Sequence, residues 1–209
     1  MKHKYWSLIL SIPVSLSLCL QADMPEPYRS VEDLPFDSHG WFLNAPQLTE
    51  QLNQKPIQTV IEVGSWLGCS TRFIAKSIPD GAKVYAVDTW RGSTNEEATM
   101  KDPRIPYLYQ LFLSNVKHAG LTDKIIPVRM ASLEAALALN VQADLIYIDA
   151  SHDTVSVYND IIAWYPHLKA DGIMCGDDWQ AESVRIGVQQ AAKKLNRKVI
   201  GNGAFWRYE

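Results

Sequence analysis

Cysteine is scarce: the 209 residues hold three, too few for a disulfide scaffold. Basic charge shows no excess either, and a formal net charge of -3 removes the bulk electrostatic sign of a nucleic-acid binder. Glycine and proline stand at 11 each, which excludes collagen-like and low-complexity chains. The apolar stretch that stands out, residues 8–20, is 13 residues long and broken by serines and Pro13. A membrane-spanning helix needs about 20 apolar residues, so a permanent span is not expected. No internal repeat is present. What remains is an ordinary globular composition, 47% hydrophobic and 21% charged, at the length of one α/β domain.

The chain divides into three parts. Lys2, His3 and Lys4 precede the apolar stretch, and the small residue Ala22 follows it, so residues 1–22 read as an export signal. An uncleaved anchor or a different start codon is the alternative. The expected location is periplasmic or secreted if the signal is cleaved, and otherwise inner-membrane anchored or cytoplasmic. Residues 23–46 contain Pro25, Pro27, Pro35 and Pro46, a spacing that few helices survive and that suggests an extended arm. Residues 47–209 carry regular patterning throughout.

Within that domain, apolar strand patterns occur at residues 59–63, 83–88, 125–130, 144–149, 173–176 and 198–201, with helical patterns between them. Near-continuous apolar strands predict a doubly wound α/β fold, Rossmann-like, with a mostly parallel sheet covered on both faces. Asn202-Gly203 separates the sixth pattern from residues 204–208, a strong hairpin signal. The C-terminal strand is therefore expected to be reversed.

Open α/β sheets bind ligands beyond the carboxyl ends of their strands, and unusual residues gather there. The first strand runs into Glu62-Val63-Gly64-Ser65-Trp66-Leu67-Gly68, whose glycines permit a tight turn and close approach by a ligand. Asp88 ends the second strand, where an acid can accept bonds from ribose hydroxyls. Together they point to an adenosine-type ligand. Asp149 ends the fourth strand and Asp177-Asp178 the fifth, and neighbouring strands would bring the three together. Carboxylates that close repel unless a proton or cation intervenes, and a hard divalent cation such as Mg²⁺ takes such oxygen ligands. In the alternative, one of the pair caps the next helix and two face the site. Trp66, Trp90 and Trp179 fall at the same edge and suggest aromatic walls. Cys69 and Cys175 read as free thiols.

These residues carry a resemblance. Glu62-x-Gly64-x-x-x-Gly68, Asp88-Thr89-Trp90, Ile148-Asp149-Ala150-x-His152 and Gly176-Asp177-Asp178 resemble class I S-adenosylmethionine-dependent methyltransferases. Within that class the metal-assisted O-methyltransferases of the macrocin and catechol types are most similar. The resemblance implies a seven-stranded sheet with its last strand reversed, and S-adenosyl-L-methionine as cofactor. It implies that Gly64, Ser65 and Gly68 shape the pocket for the methionine part, Glu62 orients the amino group and Asp88 holds the ribose. Ser132 falls where the family contacts adenine, and reads equally well as a helix cap. Asp149, Asp177 and Asp178 would bind the metal, with Asp149 and His152 as the catalytic pair and His152 taking the acceptor's proton. Ser151 stands where the macrocin type carries an acid.

The expected activity is O-methylation of a small hydroxylated acceptor, with no nucleic-acid partner; the oligomeric state is open, a homodimer among the options. One rival is an exported, non-catalytic binding protein that keeps the fold. A metal-dependent hydrolase would use the same acids but leave Asp88 and the glycine loop without a role. Tyr165 and Lys169 have dehydrogenase spacing, but Pro166 interrupts the helix that such a pair needs.

Overall fold

The structure, a computed structural model, describes residues 24–93 and 96–209. The export signal expected at residues 1–22 lies outside the described residues. Seven strands, β1 (Thr59–Val63), β2 (Lys83–Asp88), β3 (Ile125–Arg129), β4 (Ala143–Ile148), β5 (Leu168–Gly176), β6 (Val199–Asn202) and β7 (Phe205–Tyr208), form one sheet in the order β3-β2-β1-β4-β5-β7-β6. All pairs from β3 to β5 are parallel, while β7 runs antiparallel to both β5 and β6. The expected reversal is present. Gly203 supplies the left-handed turn of the β6–β7 hairpin at φ 64°.

Alternation along β1 explains the layers. Val60 faces one core with Leu48, Ile74, Phe112 and Val116, while Ile61 and Val63 face another with Val157, Ile161 and Val188. Helices α1 (Ala45–Leu52), α2 (Cys69–Ser77) and α4 (Leu108–His118) cover the first face, with the short α3 (Glu97–Met100) before α4. Helices α5 (Ser132–Ala138), α6 (Thr154–Trp164) and α7 (Glu182–Leu195) cover the second. Each fully buried aliphatic side chain adds about 1.5–3 kcal/mol, so this two-sided burial is the main source of stability. Pro127 sits in β3, an edge strand, where a missing N–H leaves no partner unsatisfied.

The pairing register slips between Ala143 and Leu145 against β5. Asp171-Gly172, which reads as a turn before the strand, lies inside that irregular stretch, so β5 begins earlier than its apolar pattern. Residues 24–44 form no helix or strand and run along α4. The buried Tyr28 donates to the Ile125 carbonyl (2.8 Å), and the Leu34 amide to Ser114 Oγ (2.9 Å). The Asp37 amide donates to Asn115 Oδ1 (3.0 Å), whose Nδ2 donates back to the Asp37 carbonyl (2.8 Å). Among the described residues no helix is long and apolar enough to cross a membrane.

Candidate active site

β1 hands over to α2 through a loop held from beneath. Gly64 (φ 95°) is required because a Cβ there would stand 1.8 Å from the Asp149 carbonyl, and Gly68 (φ 77°) because a Cβ would stand 2.9 Å from the Phe112 ring. Both glycines are thus demanded by the protein's own packing. Asp88 organises the loop: Oδ2 accepts from the Ser65 and Trp66 amides (3.0 and 2.8 Å), and Oδ1 from the Trp90 amide (2.7 Å). Burial pushes the Asp88 carboxyl above the usual range, against these bonds. Trp66, Trp90 and Asp178 adopt φ of 47°, 50° and 57°, a conformation that costs non-glycine residues of order 1–3 kcal/mol. All three follow strand ends on this edge.

Glu62 is wholly buried. Its Oε2 accepts from Ser65 Oγ (2.7 Å) and from Thr71 Oγ1, while Oε1 has no hydrogen-bond partner among the described residues. Burial raises its pKa, and the hydroxyls of Ser70, Thr71 and Ser65 beside it work against that rise. An unpaired buried carboxylate oxygen is costly, and a cationic or N–H donor would satisfy it.

Across β4 and β5 acids from both strand ends come together, though not as the set of three that the sequence suggested. Ligand atoms of Asp149, His152 and Asp178 lie within 4.8 Å of one another. Asp177 is engaged elsewhere: its Oδ1 accepts from the Asp178 amide (2.6 Å) and its Oδ2 from the Tyr147 hydroxyl (3.2 Å). Burial, then the charges of Asp177 and Asp178, push Asp149 well above the usual range. His152 Nε2 meets Asp178 (2.9 Å) and Nδ1 meets Glu96 (3.0 Å). The bonds to Asp178 and Glu96 raise His152 to about 10, so it carries a proton at neutral pH in this arrangement. An ordinary histidine titration is therefore not what these contacts give. Burial pushes Glu96 up, but its bonds and charge contact with His152 outweigh that and hold it below its usual range.

The remaining expected residues fall as follows. Ser132 is not the cap of α5: Ala131 holds that position, and Ser132 Oγ donates to Asp160 Oδ1 (2.5 Å) while accepting from Trp164 Nε1 (2.9 Å). Trp90 is buried against Tyr109 and Phe112, and Trp179 lies against Gly201 of β6, so neither forms an open wall. Trp66 does remain at the edge, with Trp41 of the arm 5.8 Å away, ring centre to ring centre. Cys69 and Cys175 are free. Lys169 bonds Asp144 (2.9 Å) and Tyr165 bonds Arg197 (2.5 Å), so the dehydrogenase-like pair makes separate contacts. Glu96, Trp41 and Asn44, which reaches Tyr147 (3.4 Å), are site residues with no motif to announce them.

A family profile described as a methyltransferase domain matches residues 61–179, more than half of the chain. The O-methyltransferase hkm8 of Aspergillus hancockii is 29% identical over 120 residues, 57% of this chain and 42% of that protein. The chain thus spans about two fifths of the length of this curated relative. An O-methyltransferase from Bacillus cereus, solved in complex with SAH, superposes with a TM-score of 0.59 at 15% identity, covering 96% of this chain and 92% of that one. TomG from Streptomyces achromogenes, an O-methyltransferase involved in tomaymycin synthesis and solved with SAM, gives 0.62 at 14% identity, covering 96% and 91%. At such identities the likeness is one of fold. By that profile and that topology, the chain belongs to the methyltransferase domain family and has its class I, Rossmann-like fold.

Proposed function

We propose that the chain is an S-adenosylmethionine-dependent O-methyltransferase for a small hydroxylated acceptor, assisted by a divalent cation. The observation that carries this reading is the unpartnered Oε1 of Glu62, a buried acceptor set against the glycine loop. The ammonium of the cofactor's methionine part is a donor of the required kind. The bound sulfonium would supply the methyl group. Gly64, Ser65 and Gly68 would border it, Asp88 would fix the loop and offer its one remaining lone pair to ribose, and Ser132 would lie towards adenine. Positioning of the acceptor oxygen contributes mainly proximity and orientation.

Asp149, His152 and Asp178 would hold the cation, and Asp177 supports Asp178 from behind. Two carboxylates and an imidazole suit Mn²⁺ or Zn²⁺ as well as Mg²⁺. A cation there would lower the pKa of an acceptor hydroxyl. His152 can hold the cation or take the acceptor's proton, not both: Nδ1 is bonded to Glu96, so Nε2 given to the cation leaves no free nitrogen, and as base it must first give up its own proton and its bond to Asp178. Calorimetry with S-adenosylmethionine and S-adenosylhomocysteine tests the cofactor: micromolar binding is expected, and none at millimolar ligand overturns the reading. Turnover of a panel of catechols and sugars, with chelator and then with Mg²⁺ or Mn²⁺ restored, tests the cation. Full activity in chelator would leave the acidic cluster structural.

A further inference from the structure

We infer that Trp90 is a positioning residue: it holds the glycine loop in the conformation that receives the cofactor, and it does so through its indole N–H. The inference rests on the cofactor reading above. Trp90 Nε1 donates to the Trp66 carbonyl (2.7 Å), while the amides of both tryptophans donate to the one Asp88 carboxylate. Trp66 and Trp90 are both left-handed, at φ 47° and 50°. Neither conformation is favoured locally, since a bulky side chain at positive φ must be held there by its surroundings. Each is held by the other: the carboxylate fixes both amides and the indole fixes the carbonyl of Trp66.

The indole is itself immobile. It is 1% exposed, with Tyr109 and Phe112 each 4.7 Å away between ring centres. The same Phe112 ring closes the space beside Gly68. One aromatic stack therefore supports the loop at Gly68 and, through the indole N–H, at Trp66. A loop fixed before binding loses less entropy when the ligand arrives, so a loosened loop weakens affinity without touching any ligand contact.

Trp90→Phe separates this role from plain packing, because phenylalanine keeps an aromatic ring in the stack but has no N–H. Tyr28→Phe is the control, since Tyr28 is equally buried and also donates to one carbonyl, that of Ile125, far along the chain from the loop. Both variants are compared with wild type at a temperature where melting curves show all three folded. Two quantities are read: S-adenosylhomocysteine affinity by calorimetry, and amide exchange at Ser65 and Trp66. Trp90→Phe should weaken binding about tenfold, which corresponds to ~1.4 kcal/mol, and speed exchange at those two amides well beyond that at Ile146. Tyr28→Phe should change neither. Wild-type affinity in Trp90→Phe, or exchange at Ser65 and Trp66 unchanged, overturns the inference. If wild type itself binds no S-adenosylhomocysteine, the cofactor reading fails, and the exchange rates still decide whether Trp90 holds the loop. If Trp90→Phe is unfolded where Tyr28→Phe is not, Trp90 carries the stability of the whole domain rather than the local conformation of the loop, and the inference is overturned.

Discussion

Asp160 sits inside α6 with its carboxyl nearly buried, accepting from Ser132 Oγ while Ser132 accepts from Trp164. Burial, aided by the charge of Asp153 and opposed by the Ser132 bond, raises its pKa to about 6 from 3.8. The folded chain therefore keeps a proton that the unfolded chain has released between about pH 4 and 6. Stability falls as pH rises through that window, and the penalty is complete above it. Asp160→Asn retains an oxygen for Ser132 and removes the charge. It should stabilise the protein at pH 7 by roughly 1–3 kcal/mol and by little below pH 4, measured in urea melts at the two pH values. A gap that does not change with pH would show that the carboxyl is not strained by ionisation. The sequence carried no sign of this: an aspartate within an amphipathic helix reads as solvent-facing, and its partner lies 28 residues away. Ser132 was legible as special but not in its role, because a serine before a short helix looks like a cap. Glu96 was invisible for the same reason, since only folding brings it across 56 residues to His152. That acids meet at this edge was legible, because Asp149 and Asp178 follow adjacent strands; that Asp177 turns to Tyr147 and the Asp178 amide was not, because those contacts have no motif.

The elements themselves were largely legible. β1 and β2 begin and end where their β-branched runs do, since a glycine or an aspartate bounds each run at the carboxyl edge. β5 was readable only from Ile173, because the Asp171-Gly172 irregularity hides its first half. The prolines of residues 23–46 suggested an extended arm, but a turn occupies residues 26–30 and Pro46 sits in the first turn of α1, while the arm's course is set by polar side chains of α4. Asn115 is the centre of that attachment: it is fully buried, accepts from the Asp37 amide, and donates to the carbonyls of Asp37 and Leu67 (2.8 and 2.9 Å). One side chain thus ties the arm to the end of the glycine loop, just before α2. Arg104 adds an ion pair to Asp37 (3.3 Å) from the segment before α4. Asn115→Ala should leave the Asp37 amide and carbonyl without this partner, while the Leu67 carbonyl keeps Arg72 Nη1 (2.7 Å), and cost about 2–3 kcal/mol. Release should be local, so limited proteolysis should cut near residues 35–41 in the variant while wild type resists. Equal resistance would mean that Tyr28, Ser114 and Arg104 suffice to hold the arm.

At the scale of the whole molecule, the two edges of the sheet are built differently. β1 and β4 are neighbours at the point where the strand order turns back, so the crevice beyond their carboxyl ends is where such folds accept ligands. Strained backbone and mutually repelling acids are concentrated there, and stability must come from elsewhere. Part of it comes from the amino edge, where Asp144 at the start of β4 joins three strands. Its Oδ2 accepts from the Gln58 and Thr59 amides at the start of β1 (both 2.9 Å), and its Oδ1 from Lys169 of β5 (2.9 Å), with Lys55 at 3.9 Å. Burial alone would raise the Asp144 pKa, but these donors outweigh it and hold the carboxyl below its ordinary value. The sign is opposite to that of Asp160: the contribution is present above the ordinary carboxylate range, about pH 4, and is lost as pH falls through the lowered folded value. Asp144→Asn keeps one acceptor oxygen, loses the charge, and leaves Lys169 without its anion. It should cost about 2–3 kcal/mol at pH 7, and the gap to wild type should close progressively in acid. Urea unfolding at pH 7 and pH 3 measures it, and a gap of the same size at both values would refute a charge-based clamp. Because the amino edge is remote from the glycine loop, the folded variant should bind S-adenosylhomocysteine as wild type does. Weakened binding by a fully folded Asp144→Asn protein would mean that strain introduced at one edge reaches the other through β1, and that the two edges are not independent.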